Sequence, residues 1–211
     1  MAVFFRFLTL LALATLLATP LAGCDRTATP SFKAIDITGA EYAQGFDLPD
    51  ASGQRRTLAD FKGKVTLVFF GFTHCPDVCP TTLLEISEVK KALGADGERV
   101  QGVFVTVDPE RDTPEVLKAY VDNFGAGFVA LRGTMEETAA VAKAFKVYYA
   151  KVPGQAPGSY TMDHTAGAYV FDGNGKVRLF TRYGTGAEAL KHDLQILLAQ
   201  SPPEPRRPTA R

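Results

Sequence analysis

Two cysteines four positions apart, Cys75 and Cys79, and a histidine far downstream, His164, are the residues of this 211-residue chain best suited to chemistry. The cysteines stand in Phe72-Thr-His-Cys-Pro-Asp-Val-Cys-Pro80, each followed by a proline. A following proline turns Cys75 and Cys79 away from the α conformation, and Pro76 and Pro80 have no amide to donate, so the loop is stiff. An apolar periodic segment follows (Leu83, Leu84, Ile86, Val89) and opens a helix. At its N-terminal end the helix dipole and free amides favour thiolate over thiol. A close pair of thiolates can bridge, exchange disulfides, attack a peroxide or hold a soft metal.

Each use makes a further demand. A structural disulfide is common in exported domains, but one closing so short a loop gains little chain entropy. A buried free pair sits badly with Pro-rich, polar surroundings. A thiol–disulfide oxidoreductase suits the loop and the acidified thiol, but such enzymes use Cys-x-x-Cys and this loop has three intervening residues. A peroxiredoxin-like peroxidase carries Pro-x-x-x-Thr before its cysteine, and Phe70-Gly-Phe-Thr-His74 has no proline. A metal site needs a third ligand. Two soft thiolates suit Cu(I), zinc or an iron–sulfur cluster. Two cysteines are too few for a Cys-ligated cluster, and no second Cys/His pair completes a closed zinc site, whereas Cu(I) is content with three ligands.

The rest of the chain supplies the scaffold. Met1–Arg6 holds one positive charge, Phe7–Leu17 is almost wholly apolar, and Leu21-Ala22-Gly23-Cys24 closes an export signal spanning residues 1–23. The Leu-Ala-Gly-Cys box resembles the bacterial lipoprotein signal, which makes Cys24 a lipid-anchored first residue and leaves two cysteines in the mature chain. Residues 24–40 read as a membrane-proximal tether, 41–200 as one domain, and 201–211, with four prolines, as a disordered tail. With 23 basic and 23 acidic residues and no basic patch, nucleic acid is excluded as a partner.

Within the domain, turn residues Asp50–Gly53 mark an N-terminal β-hairpin. The run 65–71 is apolar without alternation and reads as a strand buried on both faces. A helix to about Leu93, a second buried strand 100–107, a helix capped by Thr113-Pro114, a strand 128–131 and a helix capped by Thr134…Glu137 follow. A Pro/Gly-rich excursion, 153–159, leads to a terminal hairpin (167–171 with 176–180) and a helix over 187–200. Parallel pairing first and antiparallel last describe a thioredoxin-like α/β fold, a three-layer sandwich. In such folds the loop before the 167–171 strand faces the dicysteine site. His164 stands there, as third ligand or as a hydrogen-bonded loop residue. His74 is expected to turn its ring away from its neighbour's sulfur, and His192 to lie on the solvated face of the last helix. Asp77 and Asp163 are candidates for a fourth ligand or for capping and support.

The three stretches Phe72–Pro80, Val107-Asp-Pro-Glu-Arg-Asp-Thr-Pro114 and Asp163-His-Thr165, in that order, closely resemble those of the Sco/SenC family. The resemblance implies a copper chaperone that helps metallate the CuA centre of cytochrome c oxidase, on subunit II. It implies Cys75, Cys79 and His164 as copper ligands, the same cysteines as a redox-active pair, and copper carried as Cu(I) or also as Cu(II). With the export signal it places the domain on the periplasmic face of the inner membrane, held there by the lipid anchor and served by a periplasmic copper donor. The alternative is a thiol–disulfide oxidoreductase that reduces the CuA-site cysteines without delivering metal. The segment 108–112 is expected to support the site or face a partner, with helix capping as its plainer explanation.

Overall fold

The computed structural model describes residues 31–201. The export signal, Cys24, the first part of the tether and residues 202–211 of the tail lie outside the described residues. The chain begins with three short strands, β1 (Ile35–Asp36), β2 (Asp47–Pro49) and β3 (Arg55–Thr57). It continues through β4 (Val65–Gly71), α1 (Val78–Ala92), β5 (Val100–Thr106), α2 (Pro114–Asp122), β6 (Phe128–Leu131) and α3 (Met135–Phe145). It closes with β7 (Tyr149–Pro153), β8 (Tyr160–His164), β9 (Gly167–Phe171), β10 (Val177–Arg182) and α4 (Ala187–Gln200).

Six strands form one sheet in the order β1-β10-β9-β4-β5-β6. β4, β5 and β6 are parallel neighbours, while β9 runs antiparallel to β4 and β10 to β9. Every residue of β4 and β5 is buried, as continuous apolar runs require of strands covered on both faces. Val65 and Leu67 pack with Ile86 and Val89 of α1 and with Leu190, Leu194 and Leu197 of α4. Phe70, on the opposite face, lies against Phe145 of α3 with ring centroids 5.1 Å apart. This is the three-layer α/β sandwich of a thioredoxin-like fold, with the β2–β3 hairpin ahead of it.

The structure departs from the sequence reading at four places. Residues 33–36, assigned to the tether, belong to the fold: β1 pairs with β10, and the buried Asp193 carboxylate accepts the amides of Lys33 and Ala34 at 2.8–3.1 Å. Ser201, assigned to the tail, is buried, and its hydroxyl accepts the Gly173 amide at 3.1 Å. The helix begins at Val78, so Cys79 lies inside its first turn rather than before it. His164 is the last residue of a strand, not a loop residue, because the excursion folds into a β7–β8 ribbon in which Tyr149 pairs with His164.

Candidate metal centre

The dicysteine loop leaves the C-terminal end of β4 and turns directly into α1. Asp77 at the N-cap makes no side-chain cap bond. Instead the Cys79 amide donates to Cys75 Sγ at 3.4 Å, so a sulfur accepts one of the donors a helix start leaves free. Both cysteines are free thiols, Cys75 partly exposed and Cys79 buried. A hydrogen bond from the Cys79 thiol, helped by the amides of Asp77 and Cys79, lowers the Cys75 thiol to about 5 against the opposing effect of burial. The same hydrogen bond, together with burial, pushes the Cys79 thiol up. The pair therefore holds one proton, resident on Cys79 and shared with a Cys75 thiolate.

His164 reaches this pair from the other side of the fold. Its Nε2 is 3.3 Å from Cys79 Sγ, across 85 residues of sequence. Its Nδ1 lies 3.1 Å from the Thr165 carbonyl oxygen, which can only accept, so Nδ1 carries the proton and Nε2 presents its lone pair to the sulfurs. The ring stands edge-on to Phe69 and Phe72, 5.9 Å from each. Among the described residues, Cys75, Cys79 and His164 form a group whose ligand atoms all lie within 4.8 Å of one another. Sulfur and nitrogen ligands about 2.0–2.3 Å from an ion in a trigonal plane lie about 3.5–4 Å apart. A trigonal site for a soft ion therefore needs only small movements.

The other candidates stay outside this group. His74 is exposed, with Nδ1 3.2 Å from Thr73 Oγ1 and 3.9 Å from Asp112 Oδ1. The Asp77 carboxylate accepts from the Thr81 hydroxyl at 3.3 Å, a local turn contact. Asp163 faces solvent, as alternation along β8 requires of the neighbour of an inward His164. His192 lies on the exposed face of the last helix, as expected, with its Nδ1 2.9 Å from the buried Asp193 carboxylate.

What the sequence left undecided is the work of segment 108–112. Asp112 is fully buried and accepts from the Thr73 amide at 3.1 Å, the Thr73 hydroxyl at 2.6 Å and the Thr106 hydroxyl at 2.5 Å. It thereby ties the dicysteine loop to the end of β5. Helix capping falls to Thr113, whose hydroxyl accepts from the Val116 amide. The segment is a support, and the sign of it in the sequence was a pair of acids flanking an arginine directly after a strand with no exposed face.

Comparison with known proteins matches residues 36–199 to the family described as SCO1/SenC. A SCO2-like protein of Rickettsia felis is 40% identical over 132 residues, covering 62% of this chain and 64% of the relative. The chain thus spans a little under two thirds of that relative's length. The solved structure of Bradyrhizobium japonicum ScoI with copper bound is 45% identical, with a TM-score of 0.66, and covers 73% of this chain and 98% of that one. A SCO1/SenC family lipoprotein from Bacillus anthracis is 29% identical, with a TM-score of 0.61, covering 72% of this chain and 92% of that one.

Proposed function

Since this chain belongs to the SCO1/SenC family, we propose that it is a copper chaperone that binds one copper ion through Cys75, Cys79 and His164 and helps metallate the CuA centre on subunit II of cytochrome c oxidase. The observation that carries the proposal is the convergence of two sulfurs and an imidazole lone pair within 4.8 Å. The copper-bound state of the similar Bradyrhizobium protein supports the choice of metal. Neither Asp77 nor Asp163 converges on the group, so the site as built suits three-coordinate Cu(I), and Cu(II) would have to recruit a further ligand such as water. In this reading Cys24 carries a lipid anchor, and the domain works at the periplasmic face of the inner membrane, loaded by a copper donor there. Among the described residues no helix is long and apolar enough to cross a membrane.

The redox state of the pair gates loading. Copper replaces the single shared proton and binds both sulfurs as thiolates. Oxidation to a Cys75–Cys79 disulfide sends two electrons to an oxidant such as a second disulfide, releases the one shared proton and leaves no thiolate for the metal.

One observation favours a second reading. A partly exposed, acidified Cys75 beside a buried, protonated Cys79 is also the division between an attacking and a resolving thiol. In that reading the Cys75 thiolate attacks a target disulfide, Cys79 resolves the mixed disulfide, and the target leaves as a dithiol. His164→Ala separates the two readings. As a chaperone the variant loses copper retention while its dithiol still turns over. Full copper stoichiometry in His164→Ala would remove the third-ligand assignment and leave the reductase. Cys75→Ser and Cys79→Ser should each abolish both activities in a folded chain.

A further inference from the structure

Arg111 touches three parts of the site's surroundings at once. Its Nε donates to the buried Asp108 just beyond β5. Its Nη1 donates to the Tyr160 carbonyl oxygen at 2.9 Å, and its guanidinium carbon lies 3.7 Å from the centre of the Tyr160 ring. On the other side it faces the Phe72 ring at 5.9 Å, the ring to which His164 stands edge-on. The Tyr160 hydroxyl completes the set by donating to the second oxygen of Asp108 at 2.9 Å.

The ribbon these contacts hold is the one that carries the imidazole. Tyr160 opens β8 and His164 closes it. β7 and β8 pair with each other and not with the six-stranded sheet, so no ladder fixes the height of His164 over the sulfurs. The buried Met162 anchors the middle of the strand by an apolar contact, which is not directional. Direction comes from polar contacts, and apart from the Tyr183 amide on the Ala166 carbonyl these run to segment 108–112: Arg111 and Asp108 hold Tyr160, and Glu110 pairs with Lys151 on β7.

We infer that Arg111 is a positioning residue, which pins the β7–β8 ribbon to the end of β5 and thereby sets how closely the His164 imidazole meets Cys75 and Cys79. A planar fork that stacks on one ring while donating to two different oxygens is a role lysine cannot fill. The inference rests on the reading of His164 as third ligand.

The test is a double-mutant cycle on the full, reduced chain, with the Cu(I) dissociation constant measured by competition with a Cu(I)-specific chelator. Arg111→Lys keeps the charge and should weaken copper binding about tenfold, the lower end of what is seen when the partner of a metal ligand is removed. Because it acts through His164, adding Arg111→Lys to His164→Ala should weaken binding no further. Tyr160→Phe, which loses one hydroxyl and keeps the stacked ring, is the milder variant and should weaken binding in the same direction. Native affinity in both Arg111→Lys and Tyr160→Phe, alongside weakened His164→Ala, overturns the positioning role alone, as do additive effects in the double variant. Native affinity in His164→Ala overturns the ligand reading and the positioning role with it.

Discussion

Gly71, the last residue of β4, lies directly beneath the site, and adding one methyl group there tests whether core packing sets the sulfur geometry. An alanine Cβ would lie 2.8 Å from Cys79 Sγ, 2.8 Å from Phe104 Cε2 and 2.9 Å from Phe69 Cε1. Apolar contacts settle at about 3.5–4.0 Å, so each neighbour would have to retreat by roughly 0.7 Å or more. All three are fully buried and enclosed by others, Phe104 by the Tyr120 ring at 5.4 Å. Gly71 is not among the glycines with positive φ, so alanine meets no backbone strain and the whole penalty is steric. Overpacking of this kind costs about 1–3 kcal/mol, offset by about 0.4–1 kcal/mol from the less flexible unfolded chain. A net cost near 1–2 kcal/mol lowers the midpoint of thermal unfolding by roughly 2–8 °C in a domain of this size. Relief through Cys79 moves its sulfur relative to His164, so Cu(I) affinity should fall as well. Gly102→Ala is the control: its Cβ would collide with the half-buried Phe128 ring, lower on β5. It should cost stability and leave copper binding alone. Calorimetry of the reduced, metal-free chain and chelator competition give both readings. A Gly71→Ala variant with native melting and native affinity would refute the packing reasoning; lost stability with native affinity would sever packing from the site.

Two further outcomes follow from other parts of the structure. Alkylation of Cys75 by iodoacetamide in the reduced, metal-free chain should rise as pH climbs through about 5 and then level off, because a lowered pKa leaves the thiolate fully formed at neutral pH. Cys79→Ala removes the largest cause of the shift, so the midpoint should move up toward the ordinary 9.0, and an unmoved midpoint would refute the shared proton. Asp193→Ala removes the acceptor of the Lys33 and Ala34 amides and should release β1 from β10. Hydrogen exchange should then show lost protection at residues 33–36, and native protection there would mean that the strand pairing alone holds the segment.

The sequence disclosed most of the frame because most of it rests on local chemistry. The unbroken apolar runs of β4 and β5 require cover on both faces, and the Thr134–Glu137 capping box fixes where α3 begins. β1 was not legible. It is two residues long with both side chains exposed, and what orders it is a carboxylate about 160 residues away. The strand carrying His164 was legible in principle, since Met162 is buried while Thr161 and Asp163 face solvent, a period of two. The Pro/Gly-rich turn at 153–159 drew it into an apparent loop. Asp112 was hidden for another reason: a carboxylate in a polar segment reads as solvated, and only the assembled fold shows three donors converging on it.

The two halves of the site are held by different forces, and that difference ties these tests together. Cys79 sits in the first turn of a helix packed on a fully buried strand, so moving its sulfur means moving core atoms. His164 sits on a ribbon outside the central sheet, directed by a few hydrogen bonds to charged groups, about 1.5–3 kcal/mol each, and by the stacking of Arg111 on Tyr160. Perturbing the strand side, as Gly71→Ala does, should therefore lower stability and copper affinity together. Perturbing the ribbon side, as Tyr160→Phe does, should lower affinity by more than the loss of one hydrogen bond lowers stability. If instead both sides shift stability and affinity in the same proportion, the imidazole is as firmly built into the core as the sulfurs, and segment 108–112 has no separate part in setting the site.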